Sequence, residues 1–322
     1  MNEDLSRFRD PVHNKPLRRE GDVLISVDGQ SYPIVDSIPR FVPPDNYAAD
    51  FGAQWNRFPQ TQLDSHTGLT ISEDRLAGCF GVPLSAIKGK RVLEAGSGAG
   101  RFTEVLLKHG AILDTFDYSA AVAANAKNNG RHAFALAQAD IRAIPFPRQS
   151  YDFVACVGVL QHTPDTEQSI EKLWEMVAPG GRLVIDHYGR NFWLSLPPPL
   201  GDAEKLYRAI ILRLPASKRF GAVKRLVDFW FPVYWATRKS RWARRILSRV
   251  SGIHFYFLDH DLKTRERHYE WSLLDTHDGM TDAFKRYRDV ASIRTTLEKL
   301  GAVNCVVRKG GNGVEAWCDK PN

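Results

Sequence analysis

Apolar and polar positions in this chain fall into blocks that predict strands and helices in alternation. Val92 and Leu93 lead into the run EAGSGAG, residues 94–100, and a helical pattern occupies 102–108. That order reads as a strand, a tight glycine turn and a helix. Residues 112–116 predict a second strand ending at Asp117, and 134–140 a third, short one ending at Asp140. Residues 151–157 are nearly all apolar, as a strand covered on both faces should be. A helix is expected over 169–177, a turn at 179–181 and a fifth strand over 182–186. Residues 290–300 form an amphipathic helical pattern with Gly301 as C-cap. Residues 304–307 and 314–318 complete the set as two last strands. Strands alternating with helices imply an α/β domain on a mostly parallel sheet.

Other segments break this rhythm. Residues 22–27 and 30–34 flank Asp28-Gly29 and predict a small hairpin. In residues 50–76, Phe51, Trp55 and Phe58 are spaced four then three apart and predict a helix face. Residues 189–252 follow the fifth strand as an insertion, broken by prolines 197–199 and Pro215.

Charge sharpens the picture of that insertion. Over 204–250 there are thirteen Lys and Arg against two Asp and Glu, a surplus of eleven, with eight aromatic residues interleaved. The whole 322-residue chain is only +7, so the remainder is net −4. Three readings fit. The segment is a helical substrate cap with a solvated basic face, a surface for anionic membrane or a lipid phosphate, or a nucleic-acid contact. No nucleic-acid-binding module accompanies it, which disfavours the third.

Composition, at 43% hydrophobic and 25% charged, fits a globular protein. The four cysteines, at 79, 156, 305 and 318, form no close pair, so no cysteine zinc site or disulfide framework is expected, while the His and Asp residues of 254–278 leave a divalent metal open as an alternative. The first ten residues lack the apolar core of a signal peptide, and no apolar stretch reaches membrane-spanning length. A cytoplasmic protein, free or peripheral to a membrane, is the expectation.

The glycine turn carries the first chemistry. Glycines at 96 and 98 permit positive φ and close approach of a ligand, and Gly100 would let the helix pack closely on the strand. Arg101-Phe102 follows, where a P-loop needs Lys and Ser or Thr. Glu94, just before the turn, would repel a pyrophosphate and suits a cofactor carrying ammonium and sulfonium charges. Asp117 is placed to accept ribose hydroxyls, Tyr118 to stack on an adenine, and Asp140 to accept its amino group.

Together LEAGSGAGRF, Asp117, QADIRAIPF, YDFVACVGVLQHTPD and WEMVAPGGRLVI make residues 88–188 resemble a class I S-adenosylmethionine (SAM)-dependent methyltransferase. The resemblance implies a Rossmann-like seven-stranded sheet with SAM as cofactor. It implies a cofactor pocket of Trp55, Glu94, Gly96, Ser97, Gly98, Arg101, Asp117, Tyr118, Asp140, Ile141, Val157 and Gln161. Similar methyltransferases cover the cofactor with an N-terminal helix or loop, a role open to Gln54, Trp55 and Arg57. Residues 11–43 are similar to the small zinc-ribbon-like Trm112 module but lack its cysteines, implying a metal-free appendage. The expected organisation is a β module (1–45), a cofactor-lid segment (46–87), the SAM-binding core (88–188), a basic helical cap (189–270), and the final helix and strands (271–322).

An alcohol acceptor would need a base. His162 follows the fourth strand at the ligand-binding edge of the sheet and is the first candidate. His277, flanked by Asp275 and Asp278, is the second, and His187 the third. The function expected is O-methylation of a small molecule or saccharide, including a lipid-linked one. The alternatives are an RNA or protein methyltransferase and a non-catalytic SAM-binding protein.

Overall fold

The computed structural model describes residues 5–43, 46–190, 203–256 and 260–322. The prolines at 197–199 lie outside those residues. The chain divides into two compact units: residues 1–59, 72–189 and 284–322 form the first, and 60–71 with 190–283 the second.

The first unit opens with four short antiparallel strands, β1 (Arg18–Glu20), β2 (Val23–Ile25), β3 (Ser31–Val35) and β4 (Ile38–Pro39). Gly29, at φ +87°, supplies the left-handed position of the expected hairpin. The chain leaves this unit after α1 (Ala49–Arg57), contributes α2 (Asp64–Thr67) to the second, and returns with α3 (Ile71–Phe80). Strand β5 (Arg91–Ala95), α4 (Arg101–Lys108), β6 (Ile112–Asp117), α5 (Val122–Asn129) and β7 (Ala135–Gln138) follow in strict alternation. Next come β8 (Tyr151–Cys156), α6 (Thr166–Met176) and β9 (Val177–Tyr188). After the excursion to α7 (Glu204–Ile211), α8 (Ala216–Thr237), α9 (Arg241–Val250) and α10 (Arg265–Thr281), the unit closes with α11 (Val290–Lys299), β10 (Val303–Gly310) and β11 (Gly313–Asp319).

The seven strands β5–β11 form one sheet in the order β10-β11-β9-β8-β5-β6-β7, with β11 antiparallel to both neighbours and the rest of the core parallel. Side chains such as Val92, Leu93, Val154 and Leu183 are fully buried, because helices cover both faces of a parallel sheet. Strand order reverses between β5 and β8, and at such a switch point a ligand crevice opens outside the carboxyl ends.

The N-terminal strands belong to this unit. Phe8, Leu24 and Tyr32 join the same hydrophobic core as Phe116 and Phe146. Phe41 N–H donates to the Gln138 carbonyl at 2.8 Å, so the module covers the β7 edge. An uncovered edge is an aggregation hazard. Among the described residues, Asp10, His13 and Asp28 of this module bring ligand-type atoms within 4.8 Å of one another. Asp10 is already engaged by Val12 N–H, His13 N–H, the His13 ring and Tyr32 O–H.

In the second unit, α8 buries Val223, Val227, Phe231 and Tyr234 along one stripe. Pro215 stands just before α8, where a missing N–H costs nothing. Phe231 meets Tyr269 of α10 edge-on at 5.2 Å. Arg208 of α7 binds Asp282 through Nε (2.7 Å) and Nη2 (2.6 Å to its carbonyl). Residues 60–71 are tied to α10: Gln62 donates to Asp275 at 2.8 Å, and Arg267 to the carbonyls of Thr67 and His66. Those bonds put 60–71 in this unit rather than in one continuous lid segment over 46–87. The 270/271 division read from sequence falls inside α10, and the unit extends to Ala283. Among the described residues no helix is long and apolar enough to cross a membrane.

Candidate cofactor site

Strand β5 ends at Ala95 and the chain turns over Gly96–Gly100. Gly96 and Ser97 N–H groups both donate to the Phe116 carbonyl, at 2.8 and 3.1 Å. Gly96 has φ +82°, and the side chain of Val159 lies where a Cβ would be, at 2.2 Å. That glycine therefore brings the β5 turn against the segment after β8. Gly100, at φ +91°, faces Asn125 and Asn129 of α5, whose amide atoms lie 2.3 Å from its notional Cβ. The close approach expected between helix and strand is thus made with α5 instead. Asn129 Nδ2 donates to the Gly100 carbonyl (3.0 Å) and to Asn125 Oδ1 (2.9 Å), and Asn125 Nδ2 donates to Thr103 Oγ1 (3.0 Å). Asn128 holds the Ala99 carbonyl at 2.9 Å. Three asparagines of one helix fix the glycine turn before any ligand arrives.

Glu94 ends that chain of bonds. Its Oε2 accepts from Thr103 and Thr115, at 2.6 and 2.9 Å, while Oε1 is buried with no partner. Burial is the main cause that pushes its carboxyl up to about 7; the two threonine bonds oppose it and Asp117 adds to it. Ser97 Oγ and Gln161 Oε1 are also buried and unpartnered. A buried polar atom without a partner costs about 1–3 kcal/mol. Three of them, on residues expected to bind the cofactor, fit a ligand that supplies donors and positive charge.

Asp117 closes the turn from β6. Oδ2 accepts the Gly98 N–H at 2.8 Å, and Oδ1 accepts the Ser119 N–H and hydroxyl at 2.8 and 2.6 Å. A carboxylate has about four acceptor positions, three of which are taken here, so capacity for about one ribose hydroxyl is left. Tyr118 stacks on Tyr47, centroids 4.5 Å apart, so that ring covers one of its faces and at most the other is open to an adenine. Both oxygens of Asp140 are held by Arg142, with Nη2 at 2.7 Å and Nε at 3.1 Å. Ile141 and Val157 are core side chains, and Val157 lines a small pocket beneath the turn with Glu94, Gly96 and Phe102.

Helix α1 brings the aromatic side chains. The Trp55 indole lies 3.4 Å from the notional Cβ of Gly98, directly over the turn. Gln54 is buried and Arg57 exposed. Phe51 meets the His162 ring edge-on at 5.2 Å.

His162 ends a single 3-10 turn after β8. Its Nδ1 lies 3.2 Å from the Phe284 carbonyl, and Tyr188 stands edge-on at 5.4 Å. A carbonyl only accepts, so Nδ1 carries the hydrogen and Nε2 is the basic nitrogen of the neutral ring. His187 is buried, with Nδ1 on the Tyr188 carbonyl and Nε2 on Thr166. Burial pulls its pKa down. Both nitrogens are spent on structure, so His187 does not face an acceptor. His277 belongs to the second unit, buried on α10 beside Phe220 and Thr281. The expected Asp275 partner does not orient it: Asp275 takes Gln62 and the Trp271 N–H instead. Residues one or two apart on a helix do not face each other, which adjacency in sequence hides.

One group escaped the sequence reading. Arg75 of α3 binds Asp186 Oδ2 at 2.7 Å, and Asp186 Oδ1 accepts the Gly158 N–H at 2.5 Å. Burial lowers the pKa of Arg75, Asp186 raises it, and the net direction is up. This pair pins the turn that leads from β8 to His162. Arg75 and Arg101 both lie over the Phe102 ring, at 5.7 and 4.7 Å. The legible signal was Asp186 itself, a carboxylate in an apolar strand that needs a cation.

The core of the chain is similar in sequence to known proteins. Residues 93–185 match the family model described as "Methyltransferase domain". A ubiquinone biosynthesis O-methyltransferase of Coxiella burnetii is 34% identical over 109 residues, 33% of this chain and 47% of that protein. A protein of the same description from Xylella fastidiosa is 31% identical over 117 residues, 34% and 45% of the two chains. The chain thus spans about half the length of these curated relatives. Among solved structures, a SAM-dependent methyltransferase from Mesorhizobium loti is 23% identical, covering 32% of this chain and 52% of that one, with a TM-score of 0.30.

Proposed function

We propose that this chain, whose core is a class I SAM-dependent methyltransferase domain, transfers a methyl group to an oxygen of a small molecule or saccharide, lipid-linked acceptors included. The observation that carries the reading is the set of three buried, unpartnered atoms, Glu94 Oε1, Ser97 Oγ and Gln161 Oε1, at the switch point of the sheet. SAM, when bound, supplies an activated methyl on a sulfonium. Glu94 and Ser97 would hold its amino-acid end, Asp117 its ribose, and Trp55 would cover the turn. The protein's remaining task is to align the acceptor, exclude water and take one proton. Phe51 and Tyr188 wall the His162 ring, and its Nε2 is the basic nitrogen, which supports His162 as the acceptor's base. The names of the curated relatives support oxygen as the acceptor atom.

The test is transfer from methyl-labelled SAM to a panel of catechols, phenols and saccharides, with the product located by NMR. A methyl ether is expected, and His162→Gln should lower kcat about 10²–10⁴-fold with SAM affinity unchanged. Label found on nitrogen, in RNA or in protein, or full activity in His162→Gln, would overturn the reading.

A further inference from the structure

Helix α9 has no buried residue along its ten positions, although Ser240 caps its start by accepting the Ala243 N–H at 3.2 Å. Its outward surface is two parallel rows. Trp242, Ile246 and Val250 are 73, 60 and 42% exposed and spaced four apart. Arg241, Arg245 and Arg249, also exposed and four apart, form the row beside them, since adjacent residues sit about 100° apart around a helix. The Arg245 guanidinium lies over the Trp242 ring at 5.4 Å. The same unit exposes Phe229 and Val233 on α8, and Leu206 and Ile210 on α7, each pair one turn apart. Seven of the thirteen large apolar side chains exposed among the described residues therefore fall within 206–250, the segment that carries the surplus of eleven positive charges.

Three occupants are conceivable, and charge separates them. A second copy of this face would set arginine row near arginine row. A nucleic acid uses the arginines and leaves an exposed apolar row in water. An anionic bilayer uses both, because headgroups attract the guanidinium row while Trp242 and Ile246 enter the acyl boundary. We infer that α9 is a docking helix for an anionic membrane surface. The inference rests on the second unit alone and holds whichever acceptor is methylated.

The experiment is co-sedimentation of the full chain with vesicles of phosphatidylcholine alone, and with vesicles of two parts phosphatidylcholine to one part phosphatidylglycerol, at low and high salt. Binding is expected only to the anionic vesicles and should fall with salt. Arg241→Gln/Arg245→Gln/Arg249→Gln should weaken partitioning about 100-fold, at about fivefold per arginine, and Trp242→Ser/Ile246→Ser at least about tenfold. All five side chains are exposed, so melting temperature and SAM affinity should not move. Equal binding to both vesicles, or unchanged partitioning in either variant, overturns the inference. So does RNA binding or a concentration-dependent dimer in place of vesicle binding.

Discussion

Thr103 Oγ1 donates to Glu94 Oε2 across 2.6 Å, so the first turn of α4 holds one oxygen of the carboxylate and leaves the other buried without a partner. That relationship ties stability to function. Burial raises Glu94 from its ordinary 4.5 to about 7. The folded chain therefore keeps a proton that the unfolded chain has lost in this window. Its contribution to stability is full below pH 4.5 and disappears as pH rises through about 7, by roughly 3 kcal/mol at 1.36 kcal/mol per unit.

Glu94→Gln removes the titration. The variant without ligand should melt higher than the natural chain at pH 8 and about equally at pH 5. It should bind SAM at least about tenfold more weakly at pH 8, having lost the charge that meets the ligand's cation. Scanning calorimetry and titration calorimetry read the two effects. An unaltered pH slope, or unaltered affinity, contradicts the role given to Glu94.

Asp117→Ala should weaken SAM binding by about 1–3 kcal/mol, the worth of hydrogen bonds to a charged group. It also frees the Gly98 N–H, so part of the loss comes from a looser turn. Undiminished affinity in a folded variant takes Asp117 out of the site.

Gly96 and Gly89 both have positive φ, +82° and +70°, but only Gly96 has an obstacle where a Cβ would go. Gly89→Ala should cost about 1–2 kcal/mol, the penalty of the left-handed conformation alone. Gly96→Ala must also displace Val159 and should cost clearly more in a denaturant titration. Equal costs would show that Val159 yields freely and does not set the turn.

The alternation of apolar runs and glycine turns made the five parallel strands of the core legible, because a buried parallel strand leaves a nearly continuous hydrophobic signature. Glu94, the glycines and Asp117 were legible for a similar local reason: each sits at the carboxyl end of a strand, where topology alone implies a ligand. What could not be read depends on long-range partners. Gly100 meets α5, Tyr118 meets Tyr47, and Asp140 is held by Arg142. Arg75 finds Asp186 across 111 positions. The His277 expectation relied on neighbours in sequence, and helix geometry turned Asp275 toward Gln62 and Trp271.

Asp10 of the N-terminal module has its oxygens engaged by its own donors, and no cysteine precedes Cys79. Elemental analysis should find no stoichiometric metal, and chelator should leave the melting temperature unchanged. A bound metal whose removal unfolds the module contradicts this.

Titration of SAM into the purified chain by calorimetry tests the central claim most directly. One saturable site per chain is expected, undisturbed by excess NAD. Absence of SAM binding in the folded protein, or displacement of SAM by NAD, would contradict a SAM site at the Gly96–Gly100 turn.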